Sequence, residues 1–115
     1  QGPRKPDNTS ITGKVGGTGM SIEDAQAAAR LVGLNALATL RAEIGDLDQV
    51  KRIVKVFGMV NAAPDFNEHP KVINGFSDLM FEVFGEAGRH ARSAVGMGSL
   101  PFQIPVEVEM IVELV

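Results

Sequence analysis

The sequence contains no cysteine. That absence excludes a disulfide framework, a thiolate zinc site, an iron–sulfur cluster and a cysteine nucleophile, and it suits a reducing compartment. Long apolar runs are also missing: no stretch approaches the ~18 to 20 residues that a membrane helix requires. Residues 1–20 hold prolines, charges and glycines where a signal peptide needs an apolar centre. A soluble, cytoplasmic protein is therefore expected. Nor is there an excess of positive charge, since 11 basic side chains face 14 acidic ones for a net charge of −3. That is the wrong sign for a protein whose affinity comes from neutralising phosphates, so neither nucleic acid nor a membrane is expected as a partner. Histidine is scarce as well. His69 and His90 fall in different predicted regions with no third ligand at metal-binding spacing, so no metal site is expected and either ring is read as a surface or helix-terminal group.

What is present is 115 residues that are 44% hydrophobic and 22% charged, ordinary for a single domain, here spanning 1–115, with one core. Pro3, Pro6, Asp7 and Asn8 mark a turn, and Thr9–Thr12 reads as a short strand or extended segment. Gly13–Gly19 carries four glycines in seven residues. Because Lys14 is followed by Val15 rather than by Ser or Thr, this segment is expected to be a flexible connection and not a phosphate loop.

Ser21 followed by Asp24 is a helix-start signature, and the apolar spacing of three and four from Ile22 through Leu40 predicts a helix that ends at Ile44 and Gly45. The run Ile53–Val60 is β-branched and aromatic without helical period, as expected of a central strand buried on both faces. Lys51, Arg52 and Lys55 read as its solvated end. Asn61–Pro64 reads as a turn. Val72, Phe76, Leu79, Met80 and Val83 then predict a second amphipathic helix closed by Phe84 and Gly85. Ala91–Met97 and Val106–Leu114 are predicted strands around a Gly98–Pro105 loop. The last strand alternates strictly, with Val106, Val108, Met110, Val112 and Leu114 on one face and Glu107, Glu109, Ile111 and Glu113 on the other. Two helices beside an antiparallel or mixed sheet make an α+β sandwich.

Neither Ser93 nor Ser99 has the surroundings of a nucleophile elbow. Arg92 is more informative, because an arginine entering a strand among Ala91, Ala94 and Val95 needs a partner. One reading is a structural pair with Glu107 or Glu109; the other is a guanidinium that binds a substrate carboxylate through two parallel hydrogen bonds, with Glu107 positioning a water.

Arg92-Ser93-Ala94-Val95, Leu100-Pro101 and Val106-Glu107-Val108-Glu109 together resemble the signature of the reactive-intermediate (Rid, or YjgF-like) imine and enamine deaminase family. Its members also carry the labels endoribonuclease L-PSP and translation initiation inhibitor. The resemblance extends through Asp65-Phe66 and Asn74-Gly75-Phe76, and back to Gln1-Gly2-Pro3, which is similar to the end of that family's Ser-Gly-Gln motif. It implies a chorismate-mutase-like two-layer fold assembled as a homotrimer, with an inner barrel of sheets, helices outside, and clefts between subunits. Family strands that supply a tyrosine and a serine would precede Gln1.

By the same resemblance, Arg92 binds the carboxylate of a 2-imino or 2-keto acid and Glu107 holds the attacking water. Gln1, Gly2, Ala94 and Pro101 join Arg92 in binding substrate. Ala94 stands where the family often has cysteine, so thiol chemistry is excluded. Hydrolysis of an electrophilic imine carbon needs positioning and a proton path but no cofactor. The implied reaction yields a 2-keto acid and ammonia. A non-catalytic keto-acid or metabolite-binding regulatory module is the alternative, and RNA cleavage or translation inhibition is disfavoured by the net charge.

Overall fold

Ser21 ends the glycine-rich segment and starts the first helix: its hydroxyl accepts the Asp24 N–H at 3.2 Å, and Glu23 and Asp24 sit in the first turn, where they complement the helix dipole. The computed structural model, which describes residues 1–115, runs this helix, α1, over Ile22–Ile44 and stops it at Gly45, which adopts φ 88° and donates its N–H to the Arg41 carbonyl. Ala25, Ala28, Ala29, Val32, Gly33, Ala36 and Leu37 form its buried stripe. A second helix, α2, covers His69–Phe84, with Pro70 in its first turn and Gly85 as its C-cap. The small side chains of α1 let the helices meet closely, with Gly33 against Leu79, Met80 and Phe76.

Three strands complete the fold: β1 (Val50–Asn61), β2 (Ala91–Met97) and β3 (Val106–Leu114). The sheet order is β2-β1-β3, with β1 parallel to β2 and antiparallel to β3. Parallel neighbours need a crossover, and α2 supplies it. Both helices pack on one face of this mixed sheet, as an α+β two-layer sandwich. Ile53, Val56 and Val60 of β1 and Val106 and Val108 of β3 meet Val72, Ile73, Phe76 and Met80 of α2 in the core.

The expectation that β1 is buried on both faces does not hold. With both helices on one side, Phe57 and Met59 are only half-buried, while Val95 and Ile111 are 38% and 61% exposed on the same open face. The strand is also longer than Ile53–Val60. Two residues of β1 stand against one of β3 between Val50 and Arg52 and again between Ile53 and Lys55. These bulges turn both Ile53 and Val56 inward, three residues apart, and so erase the period-two signal from the sequence. Lys51 and Arg52 do lie at a solvated strand end, where both pair with Glu113, at 3.6 and 2.7 Å.

Two further expectations change in the amino-terminal segment. Of the two forms expected for Thr9–Thr12, the strand does not form; only an isolated bridge joins Arg4 and Ser10. The glycine-rich segment is pinned, because Val15 is fully buried and exchanges backbone hydrogen bonds with Asn61 and Ala63, while Lys14 Nζ donates to Asn61 Oδ1 and to the Gly98 carbonyl, each at 2.8 Å. The turn expected from Asn61 begins later, at Pro64, because Asn61 still belongs to β1. Asn61 is fully buried and donates from Nδ2 to the Ile104 carbonyl.

Candidate functional site

Arg92 stands opposite Val56 in the β1–β2 register, and Val56 is a fully buried residue of the helix-covered face. The guanidinium therefore rises towards α2. There Nη1 donates to Asn74 Oδ1 at 2.8 Å and to Ser77 Oγ at 3.2 Å. No carboxylate lies within ion-pair distance, and Nε and Nη2 carry no hydrogen bond within the chain. A structural pair with Glu107 or Glu109 is thus overturned: both glutamates belong to the other edge strand and project from the other face. The free Nε–Nη2 edge is the geometry that takes the two oxygens of one carboxylate.

His90 precedes that strand and is half-buried. Its Nδ1 is 2.7 Å from the Gly88 carbonyl, which can only accept, so Nδ1 carries the proton. Nε2 is 2.9 Å from Ser77 Oγ and is left to accept the serine's O–H. Burial lowers the His90 pKa from the ordinary histidine value, and the neighbouring Arg92 charge lowers it further, against the Gly88 hydrogen bond, which raises it. A continuous chain results: Arg92 donates to Ser77, Ser77 to His90, and His90 to Gly88. All four residues line a recess of about 350 Å³ together with Asp78 and Arg89. Arg89 is held at the rim by Glu86 and by the ring of Phe81, whose centroid is 4.7 Å away.

The other expected site residues gather elsewhere. Gln1, Gly2, Pro101 and Glu107 share a second recess of about 320 Å³ at the β3 edge, which Arg4, Ser10 and Phe102 also line. Residue 1 is fixed there by two backbone hydrogen bonds with Val108, each 3.0 Å. Glu107 lies in a cross-strand row with Met59 and Val95 on the open face. Above it, Phe102 is 86% exposed on a turn where it and Gln103 both have positive φ. Ala94 shares the helix-covered face with Arg92 but packs against the core instead of lining the recess. Within one chain, then, Arg92 and Glu107 occupy opposite edges and opposite faces of the sheet.

His69 opens α2, as a helix-terminal reading expects, with its ring edge-on to Phe66 at 5.2 Å and packed over Gly96. His90 departs from that reading. Its link to Ser77 joins a helix to the residue just before β2, thirteen positions later, and leaves no local signature, whereas Asn74 already lay within the Asn74-Gly75-Phe76 motif.

Residues 8–114 match the family model described as "YjgF/chorismate_mutase-like, putative endoribonuclease". The chain is 46% identical over 113 residues to the protein TCP17 of Trypanosoma cruzi, covering 97% of this chain and 70% of that one. Its fold is similar to a crystal structure of a protein of unknown function from Agrobacterium tumefaciens, with TM-score 0.94 and 43% identity over 99% of this chain and 74% of the other. It is also similar to a putative endoribonuclease from Shewanella oneidensis, with TM-score 0.93, 35% identity and coverage of 99% and 75%.

Proposed function

Because the chain belongs to the YjgF/chorismate-mutase-like family, we propose that it hydrolyses reactive 2-imino and 2-enamino acids to 2-keto acids and ammonia, in clefts completed by a neighbouring subunit of a homotrimer. The observation that carries this reading is the arginine: Arg92 is held at one nitrogen by Asn74 and Ser77 and keeps its bidentate edge free beside a recess. An unpaired, oriented guanidinium is a receptor for a planar carboxylate.

The separation of Arg92 from Glu107 supports assembly. Glu107 can hold a water against a substrate clamped by Arg92 only if the two come from different copies of the chain. The open sheet face, with Val95 and Ile111 exposed, offers the surface such copies would share. Once the substrate is oriented, attack on the imine carbon requires a positioned water and proton transfer.

The test is the release of ammonia and keto acid from freshly generated 2-aminoacrylate with and without protein. Acceleration supports deamination. Saturable keto-acid binding without acceleration selects the regulatory module. RNA cleavage, the activity named in the family description, is scored in parallel on a single-stranded RNA, and turnover of the RNA but not of the imine would replace the proposal.

A further inference from the structure

The proton path is the part of this chemistry that the carboxylate clamp does not explain. Ser77 Oγ accepts from Arg92 Nη1 at 3.2 Å and lies 2.9 Å from His90 Nε2, and the Gly88 carbonyl fixes the His90 tautomer from behind at 2.7 Å. The arrangement puts a hydroxyl, backed by the unprotonated imidazole nitrogen that accepts its proton, next to the guanidinium that would hold the substrate. Within the chain, no carboxylate competes for the task at this recess except Asp78, on α2 at the same rim. The charged groups facing His90 are Arg92 on β2, Asp78 on α2 and Arg89 beside it, the last tied to Glu86.

Resting on the deaminase reading, we infer that Ser77 and His90 form the proton relay of the Arg92 site, with Ser77 touching the attacking water and His90 storing the proton behind it. The water oxygen bonds to C2 of the protonated imine while the π pair moves to nitrogen. One water proton passes to Ser77 as the serine's own proton passes to His90 Nε2, giving a carbinolamine and an imidazolium. The imidazolium returns that proton along the same path to the amino group. The carbinol oxygen then forms the carbonyl, the C–N bond breaks, and ammonia leaves with the carbinol proton as ammonium. Protonated imine and water become keto acid and ammonium, and His90 ends neutral as it began.

The relay must start from a neutral ring, so the rate should fall on an acid limb below the ordinary histidine pKa of about 6.5, in keeping with the lowered His90 pKa. The experiment compares steady-state hydrolysis of 2-iminopropionate by the full chain and by Ser77→Ala, Ser77→Thr and His90→Gln across pH. Glutamine keeps an acceptor near Nε2 but cannot take the proton. Expected for His90→Gln and Ser77→Ala are a kcat lower by about 100-fold, KM within about threefold and a melting temperature within a few degrees of wild type; the acid limb disappears in His90→Gln. Ser77→Thr, which keeps a hydroxyl, recovers part of the loss. A wild-type chain that is active while His90→Gln retains both its kcat and its acid limb overturns the relay alone. An inactive wild type overturns the deaminase reading and the relay with it. Nitrogen NMR of the His90 ring gives a readout independent of turnover: a proton found on Nε2 and not on Nδ1 also rules the relay out.

Discussion

A methyl group on Gly75 would stand 2.1 Å from the carbonyl oxygen of Gln26, so α1 and α2 touch backbone to backbone at this point. The contact sets two effects against each other. Alanine is favoured over glycine in a helix by about 1 kcal/mol, whereas forcing apart two packed helices costs about 1 to 3 kcal/mol. Because the obstacle is main chain and cannot rotate away, the clash should win. Gly75→Ala is expected to lose about 1 kcal/mol net and melt several degrees lower in a thermal scan; a variant that melts at or above wild type would contradict this packing.

Arg92→Ala should separate binding from stability. Its guanidinium has no carboxylate partner to strand, so the change forfeits two hydrogen bonds, to Asn74 and Ser77, worth about 1 kcal/mol each. Removing one member of a buried ion pair would cost about 3 to 5 kcal/mol. Keto-acid binding, followed by titration calorimetry, should vanish in Arg92→Ala and return only in part in Arg92→Lys, because an ammonium lacks the two-pronged edge. A strongly destabilised variant that keeps wild-type affinity would return Arg92 to a structural role.

The His90 ring gives stability its own pH dependence. Its pKa is lower in the folded chain than in the unfolded one, where it takes the ordinary value. The unfolded state therefore binds more protons as pH falls, and the contribution of His90, complete above its unfolded pKa, is lost on the way down to its folded pKa. Denaturant midpoints should drop across this interval in the wild type and drop less in His90→Gln. Parallel curves would show that other groups carry the acid sensitivity.

Assembly can be tested on the open face without disturbing the single-chain fold. Ile111 is 61% exposed and stands directly across from Lys55. Ile111→Glu places an opposite charge beside that lysine, which suits the β1–β3 pair, but would bury an acid among Glu107, Glu109 and Glu113 if three copies share this face. Light scattering should give about three times the chain mass for wild type and a lower mass for the variant, with an unchanged circular dichroism spectrum. A wild-type monomer at all concentrations would remove the shared cleft.

The outlines of α1, α2 and β3 could be read from capping residues and periodicity, because each keeps its buried side chains on one face, whereas β2, which has no fully buried residue, was legible only from its residue types. β1 could not be bounded, since its bulges set Ile53 and Val56 three apart and left Lys51, Arg52 and Lys55 looking like an interruption. Arg92 stood out as an arginine among small neighbours, and its partner Asn74 lay within a recognisable motif. The Ser77–His90 link was hidden because a tautomer is fixed by the Gly88 carbonyl and not by any side chain. Nor could the sequence show that Gln1 and Glu107 collect at one edge of the sheet and Arg92 at the other, which depends on strand order.

That strand order also governs when the chain can become a fold. β1 finds its parallel neighbour only after α2 has crossed over, and its antiparallel neighbour only when residue 114 comes to lie beside residue 50; the backbone bonds between Gln1 and Val108 close later still in sequence separation. Contacts this distant make for a high contact order and slower folding than in a helical bundle of equal length. During synthesis, both helices and the central strand emerge before β3 exists, leaving Ile53, Val56 and Val60 without their cross-strand cover. The nascent chain therefore passes through a stage with an unpaired apolar strand edge, the kind of surface that holdase chaperones recognise and that aggregates when they are scarce.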